Sequence, residues 1–558
     1  MSRLEQSTLE RYLPEPPGAR RSWPGLGAPR VFWSGLVLVV LGVLAHLVTF
    51  VGPLLRGEKL DAMGMNPSAD PSMPATDPMP MAASMAAGMA LIVVGLAVTG
   101  WGSLPRTPRG APENQAAPSV RALAGRKLGV QDGLWVVILM LALVVDTMKP
   151  ATIGFVLPGM KTEYGLATGQ LTYLPMAGIG GTVLGSLLWG FLADRVGRRG
   201  AMLLATTMFI GTSVCGTMPT YRWNLLMCLL MGLSAGGLVP VVFSLLAEIA
   251  PDRHRGWLGV FVSGFGLAGG YLAASAAAAL LEPVFGWRVL WLVGLPTGVL
   301  LLVLAYTIPE SPRFLLMTGR VQDAARMMRR LRVELVPAPA GAAAAAAGRP
   351  AFASAPRRSR RIWVAVATFG FTCGLVQFGF MTWLPELMHE GLAAAGGTNT
   401  LLSRAALVAL PFTLVWAMLY RRIGPEVCLA VGAVGSAVAM LGLVVFGRTA
   451  SHAAVLVLVV ALIAALNAAV AVLTVYSAEI FPTKVRARGS GSIAGAVKVG
   501  GFVGPIVIAV ALTMSGSPVV GVTLLAVLLI GGGLLVVWAV DRRPALRTTA
   551  VAGVGKLR

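Results

Sequence analysis

Three ionisable residues stand out inside long apolar segments of this 558-residue chain. Asp146 and Lys149 lie midway along one segment, and Lys498 lies within another. An ionisable side chain at membrane depth is costly and is a functional candidate by default. Because a spacing of three puts Asp146 and Lys149 on one helical face, we predict that they act together.

The predicted chemistry is proton binding at Asp146, with a pKa controlled by Lys149 and by burial. Protonation of Asp146 would release Lys149 to a carboxylate ligand. The alternative is a static Asp–Lys pair that holds helices together. For Lys498 the two interpretations are anion binding and extension of the ammonium group toward the membrane surface.

A second group of charges fills the ten residues 190–199, between two apolar runs. A tight charged turn between two membrane-spanning helices must lie in water, and its arginines indicate the cytoplasmic face. Asp194 lies near a helix end, where it can accept hydrogen bonds. The nearby arginines can pair with carboxylates that follow other spans, which predicts a gate that closes and opens as a set. The alternative is that the arginines only set the topology. The predicted gate comprises Gly190, Asp194, Arg195, Gly197, Arg198, Arg199, Glu248, Arg255, Glu310, Arg313, Glu479 and Arg486.

The elements that position these residues are membrane-spanning helices. The chain is 56% hydrophobic and only 12% charged, whereas a soluble domain carries about twice that charge. Its net charge of +22 is concentrated just beyond the ends of apolar spans, so it indicates membrane orientation and argues against nucleic-acid binding. Cysteines occur singly, which predicts no disulfide framework. We predict fourteen spans, two near residues 31–54 and 84–104 and twelve that start near Leu134, Thr168, Ala201, Trp223, Gly256, Trp287, Ile362, Thr398, Val427, Ala453, Gly489 and Pro518.

A repeat divides the last twelve spans. The pattern Glu248-x-x-Pro251-x-x-x-Arg255-Gly256 recurs 231 residues later at Glu479, and Gly197 has an echo at Gly424. Duplicated six-helix halves are predicted. Because the echo at residues 421–426 contains no aspartate, the gate is expected in the first half only.

The same offset carries Asp146 onto Gln377, which we expect to bind a ligand from the opposite half. Further cavity candidates are Asn467, Tyr476, Tyr173 and Trp383, for which interhelix packing is the alternative.

The predicted organisation therefore has five parts. Residues 1–130 form a cytoplasmic tail and an extra two-helix hairpin, 131–317 the first bundle, 318–361 a cytoplasmic linker, 362–541 the second bundle, and 542–558 a cytoplasmic tail. The fold class is an all-α polytopic membrane protein.

Three signatures lie in order along the chain: the charged loop at 190–199, Pro309-Glu310-Ser311-Pro312-Arg313, and the Glu248 pattern with its later copy. Together they resemble the sugar porter and aromatic acid:proton symporter branches of the major facilitator superfamily. The resemblance implies the major facilitator fold and a proton-coupled transporter that moves a small organic acid, with aromatic acids as one option, across the cell inner membrane by alternating access. A sugar or drug transporter of the same fold is the alternative. Many family members have a coupling arginine where this chain has Cys228, which argues against coupling through the fourth span.

The loop of the extra hairpin is rich in methionine, whose thioether sulfur favours Cu(I). A copper-handling membrane protein is therefore a further alternative, and disorder of a polar loop is the plainer interpretation. The candidate metal ligands are Met63, Met65, Met73, Met79 and Met81. A non-transporting membrane sensor is another alternative. No nucleophile–base pair or histidine cluster indicates an enzyme, and no cofactor is expected.

Overall fold

A computed structural model describes most of the chain. The described residues are 28–56, 83–104, 119–122, 129–218, 220–308, 310–317, 320–331, 333–336, 357–391, 397–447, 449–480 and 486–541. Within them the predicted all-α architecture holds, with one small addition. Two short strands, β1 (Ser119–Ala122) and β2 (Val333–Val336), pair antiparallel, with Ser119 opposite Val336.

Helices α1 to α11 cover the extra hairpin and the first bundle. They are α1 Pro29–Arg56, α2 Ala83–Ser103, α3 Val130–Tyr164, α4 Thr168–Leu171, α5 Tyr173–Val196, α6 Arg198–Gly211, α7 Tyr221–Ala235, α8 Leu238–Ile249, α9 Asp252–Phe285, α10 Val289–Leu292 and α11 Gly294–Thr307. A 3₁₀ turn, Thr212–Thr217, continues α6.

Helices α12 to α21 cover the linker and the second bundle. They are α12 Pro312–Met317, α13 Val321–Leu331, α14 Arg357–Gly374, α15 Met381–Gly391, α16 Thr398–Ala409, α17 Phe412–Ile423, α18 Pro425–Phe446, α19 His452–Glu479, α20 Arg486–Ser515 and α21 Val519–Asp541. A π-helical segment, Leu375–Phe380, joins α14 to α15.

Thirteen described spans are long and apolar enough to cross a membrane. One predicted span is not among these thirteen. It starts near Trp223, is the fourth of the last twelve, and is broken into α7 and α8 at Gly236–Gly237. The indole of Trp189 on α5 donates a 2.7 Å hydrogen bond to the Leu233 carbonyl, and the Gly237 amide bonds to Ser234 instead. A side chain that takes a carbonyl out of the helical ladder is a known cause of such breaks.

Glycines hold the extra hairpin together. Gly35 and Gly42 on α1, and Gly88, Gly95 and Gly102 on α2, recur at seven-residue intervals along the facing sides. A Cβ at Gly42 would lie 2.6 Å from the Gly88 carbonyl oxygen. Small residues of this kind let helix backbones approach closely in membranes. The hairpin also packs on α6, where a Cβ at Gly211 would lie 3.0 Å from Ile92.

The two halves touch along several helix pairs. A Cβ at Gly154 on α3 would lie 2.6 Å from the Thr382 carbonyl oxygen on α15, and one at Gly259 on α9 would lie 2.9 Å from Val475 on α19. We call the end of the bundle that carries residues 190–199 the gate face, and the other end the opposite face. The pairing of β1 with β2 puts the strand before α3 and the strand after α13 at the same face.

Candidate functional site

Asp146 is buried near the middle of α3, with 3% of its surface exposed. Its Oδ1 atom has no hydrogen-bond partner. Pro150 lies four residues later in the helix and has no amide hydrogen, so the Asp146 carbonyl also lacks its usual helical donor. The buried carboxyl group thus lacks a hydrogen bond at Oδ1, and the charged group that acts on it electrostatically is Lys498 on α20.

Lys498 connects the two halves. Its Nζ atom donates a 2.8 Å hydrogen bond to the carbonyl oxygen of Thr182 on α5. The residue belongs to the second half, yet both its acceptor and its electrostatic partner Asp146 belong to the first. Both interpretations of Lys498, anion binding and extension toward the membrane surface, stay predictions.

The expected Asp146–Lys149 pair is wrong in this structure. The Lys149 ammonium group donates to the Phe209 carbonyl oxygen, to Thr212 Oγ1 at 3.0 Å and to Ser213 Oγ at 3.4 Å. It also lies 3.8 Å from the Phe209 ring centroid. These acceptors lie at the C-terminal end of α6, where the helix dipole favours a cation. The three acceptors match the three donors of an ammonium group.

Two further predicted cavity residues carry unpartnered polar atoms. Oε1 of Gln377, in the π-helical segment, and Nδ2 of Asn467 on α19 are buried without hydrogen-bond partners. The indole nitrogen of Trp383 (1% exposed) and the hydroxyl oxygen of Tyr271 on α9 (6% exposed) are also buried without hydrogen-bond partners. Buried polar atoms are nearly always hydrogen-bonded, so these atoms are candidates to bind a polar ligand.

Sequence reasoning missed Tyr271, and it misjudged two other tyrosines. Tyr476 lies near the gate end of α19 and donates a 3.0 Å hydrogen bond to Glu426, away from mid-membrane depth. Tyr173 is 55% exposed on the outside of the bundle. An aromatic residue within an apolar run does not reveal which face of the helix it occupies. The phenol of Tyr271, buried in a span that otherwise offers few polar groups, was the available signal.

Glu310 is the centre of the charged cluster at the gate face. It is fully buried, and its Oε1 atom accepts from the backbone amides of Arg198 at 3.0 Å, Arg199 at 3.4 Å and Ser311 at 3.1 Å. The carboxylate therefore covers the N-terminus of α6, where free amides and the helix dipole favour an anion. Burial raises the pKa of this carboxyl, and the three amides oppose that rise.

Gly197 makes this arrangement possible. Its φ of +87° lets α6 begin at Arg198 and direct its amides at Glu310. A Cβ at this position would lie 2.7 Å from both Glu310 Oε2 and the Phe314 ring. Gly190, in contrast, has open space around it.

The arginines of this face contact backbone and hydroxyl oxygens and an aromatic ring. Arg199 donates to the Tyr306 carbonyl oxygen at 2.6 Å, and Arg198 donates to Ser311 Oγ at 3.4 Å. Arg195 lies 3.9 Å from the Phe191 ring centroid, and Arg255 reaches the Ala250 carbonyl oxygen at 3.5 Å. Glu310 thus bonds to backbone amides, and the guanidinium group of Arg199 adds an electrostatic attraction to its carboxylate. The side chains of four other gate candidates, Asp194, Glu248, Arg313 and Arg486, lie outside the described residues.

Glu479 joins the halves at the gate face. Its Oε2 atom accepts a 2.5 Å hydrogen bond from the Tyr420 hydroxyl of α17. Gly256, at the start of α9 in the first half, lies against this pair, and a Cβ there would be 3.0 Å from Glu479 Oε1. At this face a second-half carboxylate therefore lies against a first-half glycine.

A matching contact at the opposite face was not predicted. Lys161 at the end of α3 forms a 2.8 Å ion pair with Glu386 on α15, and Asn399 on α16 donates to Glu282 on α9 at 2.6 Å. Both contacts cross from one half to the other. A second ion pair, Glu163–Arg288, stays inside the first half and involves Trp287 and Tyr164. These charged residues lie near the ends of spans. The 231-residue repeat does not relate any of the partners to each other, so the sequence analysis did not predict these contacts.

Metal ligation finds no support among the described residues, which contain no group of three histidine, cysteine or acidic side chains. All four cysteines are buried and unbridged. The methionine candidates Met63, Met65, Met73, Met79 and Met81 lie outside the described residues.

Comparisons with known proteins agree with this architecture. The sequence model of the sugar (and other) transporter family matches residues 153–541. The niacin transporter of Acinetobacter baylyi is 27% identical over 67% of this chain and 85% of its own length. The 4-hydroxybenzoate transporter of Pseudomonas putida is 32% identical over 50% of this chain and 66% of its own length. A partially occluded inward-open structure of the Escherichia coli xylose transporter has a TM-score of 0.59 at 19% identity, over 74% of this chain and 98% of that one, which shows the fold.

Proposed function

Because this chain belongs to the sugar (and other) transporter family, whose members work as secondary transporters of small organic molecules, we propose that it couples proton movement to the transport of a small aromatic carboxylate. The observation that carries the proposal is the buried, unpartnered carboxyl of Asp146, with the ammonium group of Lys498 as its electrostatic partner. Two relatives are named for niacin and for 4-hydroxybenzoate, which are both aromatic carboxylic acids.

The coupling follows from charge balance. An ionised Asp146 attracts Lys498 and offsets its charge. A proton on Asp146 removes that attraction, which leaves Lys498 able to bind the carboxylate of a substrate. Since an unpaired charge is costly in a low-dielectric interior, proton and substrate each favour the binding of the other. This assigns to Lys498 the role that the sequence analysis gave to Lys149.

The substrate site extends to both halves. Gln377 and Asn467 offer buried hydrogen-bonding atoms from the second half, and Trp383 and Tyr271 add aromatic surface. Alternating access requires that the contacts at the two faces break in turn. The residues at Glu310, Glu479 and Gly256 would form the barrier at the gate face, which we assign to the cytoplasm. We expect both termini on that side of the cell inner membrane.

The test uses the full chain in proteoliposomes with radiolabelled nicotinate or 4-hydroxybenzoate. In the Asp146→Asn variant, an imposed pH gradient should no longer drive accumulation, while exchange of internal for external substrate continues. Asp132→Asn is the matched control, because Asp132 lies on the same helix and bonds to the Gly129 amide at its start. Proton-driven accumulation by Asp146→Asn at the wild-type level would refute the assignment.

A sugar is the second candidate substrate, since the neutral polar atoms of Gln377, Asn467 and Tyr271 suit hydroxyl groups. The Lys498→Met variant separates the two. An aromatic acid should lose most of its binding in this variant, because its carboxylate loses its cation. Binding of xylose to the wild type, and its retention in Lys498→Met, would favour the sugar.

A further inference from the structure

A cavity of about 300 Å³ opens between α14 and α21 at the gate face. The residues that line it are Arg360, Arg361, Val364, Ala365, Leu535 and Trp538. It lies on the outer side of the second bundle, since Val364 and Trp538 are each 44% exposed. This cavity is separate from Asp146 and from the gate contacts.

The cavity exists because two helices in close contact diverge. A Cβ at Gly532 on α21 would lie 2.9 Å from the Thr372 hydroxyl oxygen and 3.3 Å from the Phe369 Cα on α14. One to two helical turns nearer the gate face, the helices carry larger side chains and enclose the cavity between them. Its deeper wall is apolar, and its mouth has two guanidinium groups.

One of these guanidinium groups is held in place. The Arg361 guanidinium carbon lies 3.8 Å from the Trp538 ring centroid, which is a stacked cation–π contact. Stacking fixes the plane of the guanidinium group and leaves its N–H edges available, and a planar pair of donors suits phosphate oxygens. Arg360 adds a second positive charge beside it.

We propose that this cavity binds an anionic phospholipid of the membrane leaflet at the gate face. The two arginines would hold the headgroup phosphate, and the apolar wall formed by Val364, Ala365 and Leu535 would take the start of an acyl chain. The cavity is positively charged at its mouth and apolar further in, which matches the anionic headgroup and the apolar acyl chain of a phospholipid. Basic pockets between transmembrane helices at the cytoplasmic side are known to bind such headgroups. A free phosphate ion has no apolar surface that could pack against this wall.

The experiment titrates the purified full-length chain in detergent with phosphatidylglycerol and follows its melting temperature. Phosphatidylcholine with the same acyl chains and inorganic phosphate alone are the two comparison arms. We expect phosphatidylglycerol to raise the melting temperature at the lowest concentration. In the Arg360→Gln/Arg361→Gln variant, the half-maximal concentration should rise about tenfold.

Two further variants separate a built site from general surface charge. Arg421→Gln/Arg422→Gln removes an adjacent pair of exposed arginines from the end of α17, outside the cavity, and should titrate like the wild type. Leu535→Trp keeps every charge and fills the cavity, and it should weaken binding as much as the loss of both arginines does.

Three outcomes would overturn the proposal. Equal weakening in the two arginine variants would indicate surface charge only. Equal responses to phosphatidylcholine and phosphatidylglycerol would remove the requirement for an anion. Saturation by inorganic phosphate at the same concentration would identify a free-anion site. If the arginine variant does not elute as a single species, the Leu535→Trp result decides, because an unchanged titration there excludes the cavity.

Discussion

Asp146 and Lys149 are three residues apart on α3 and have different surroundings. Three residues rotate a helix by about 300°, which leaves side chains about 60° apart on the cylinder. Asp146 is directed toward the second half and Lys498, whereas Lys149 reaches the end of α6. Composition and hydropathy were sufficient to select both residues as candidates. They were not sufficient to separate their roles, because the acceptors of Lys149 lie about 60 residues away, at the end of α6 and in the turn after it.

The role of Lys149 can be tested by Lys149→Met. The Phe209 carbonyl and the two hydroxyls would lose the ammonium donor, at a cost of about 2 kcal/mol, although the hydroxyls of Thr212 and Ser213 would still donate to that carbonyl. We therefore expect a lower melting temperature for the purified protein and an unchanged dependence of uptake on the pH gradient. If Lys149→Met instead abolishes proton-driven accumulation, as predicted for Asp146→Asn, the pair inferred from the sequence is correct after all.

At the level of helices, length and hydropathy predicted nearly all the spans, because the thickness of the bilayer constrains both quantities. The broken fourth span was not predicted. It breaks at Gly236–Gly237, four residues or fewer before Pro240, which has no amide hydrogen, and Trp189 of another helix bonds to the Leu233 carbonyl there. The sequence placed Glu310 in one gate with Arg198 and Arg199, but it did not show that the carboxylate bonds to their backbone amides, 112 residues away from Arg198. Contacts between helices that are far apart in sequence have no periodic signature.

The glycine repeat of the hairpin leads to a prediction at this scale. Gly42→Leu inserts a side chain where a Cβ would already lie 2.6 Å from a backbone oxygen, so α1 and α2 must separate. Overpacking of this kind costs about 1–3 kcal/mol. We expect a lower melting temperature, measured on the purified full-length chain.

The matched control for the hairpin is Gly100→Leu. Gly100 lies on α2, and no atom lies within 4 Å of a Cβ at this position. Both variants add the same apolar side chain to a membrane helix. Equal melting temperatures for Gly42→Leu and Gly100→Leu would show that close contact of the glycines does not stabilise the hairpin.

For the whole molecule, the 231-residue offset predicted two halves, and the structure adds contacts between them at both faces. Lys161–Glu386 is the ion pair that crosses at the opposite face, with Glu386 almost fully buried and Lys161 partly exposed. Such a pair is worth about 1 kcal/mol, which corresponds to a several-fold change in the population of a closed state. The sequence did not reveal it, because 225 residues separate the partners and the repeat does not relate them.

Glu386→Gln should therefore favour opening at the opposite face. Spin labels at Thr162→Cys and His389→Cys, both at exposed positions, report the distance between the halves there. We expect a larger fraction of long distances in Glu386→Gln. The control is Glu163→Gln, which breaks an ion pair on the same face but within one half. Identical distance distributions in the two variants would contradict a role for Lys161–Glu386 in closure.

The pairing of β1 with β2 determines where the first half ends as a physical body. Strand β1 contacts α8 and α12 and pairs with β2. Strand β2 is therefore attached to the first half through β1, which belongs to the chain that precedes α3. The 20 residues 337–356 then lead to α14, and a chain of that length reaches up to about 70 Å when extended. The contacts that align the two halves are therefore to be sought in their facing surfaces, where Gly154 lies against Thr382 and Gly259 against Val475.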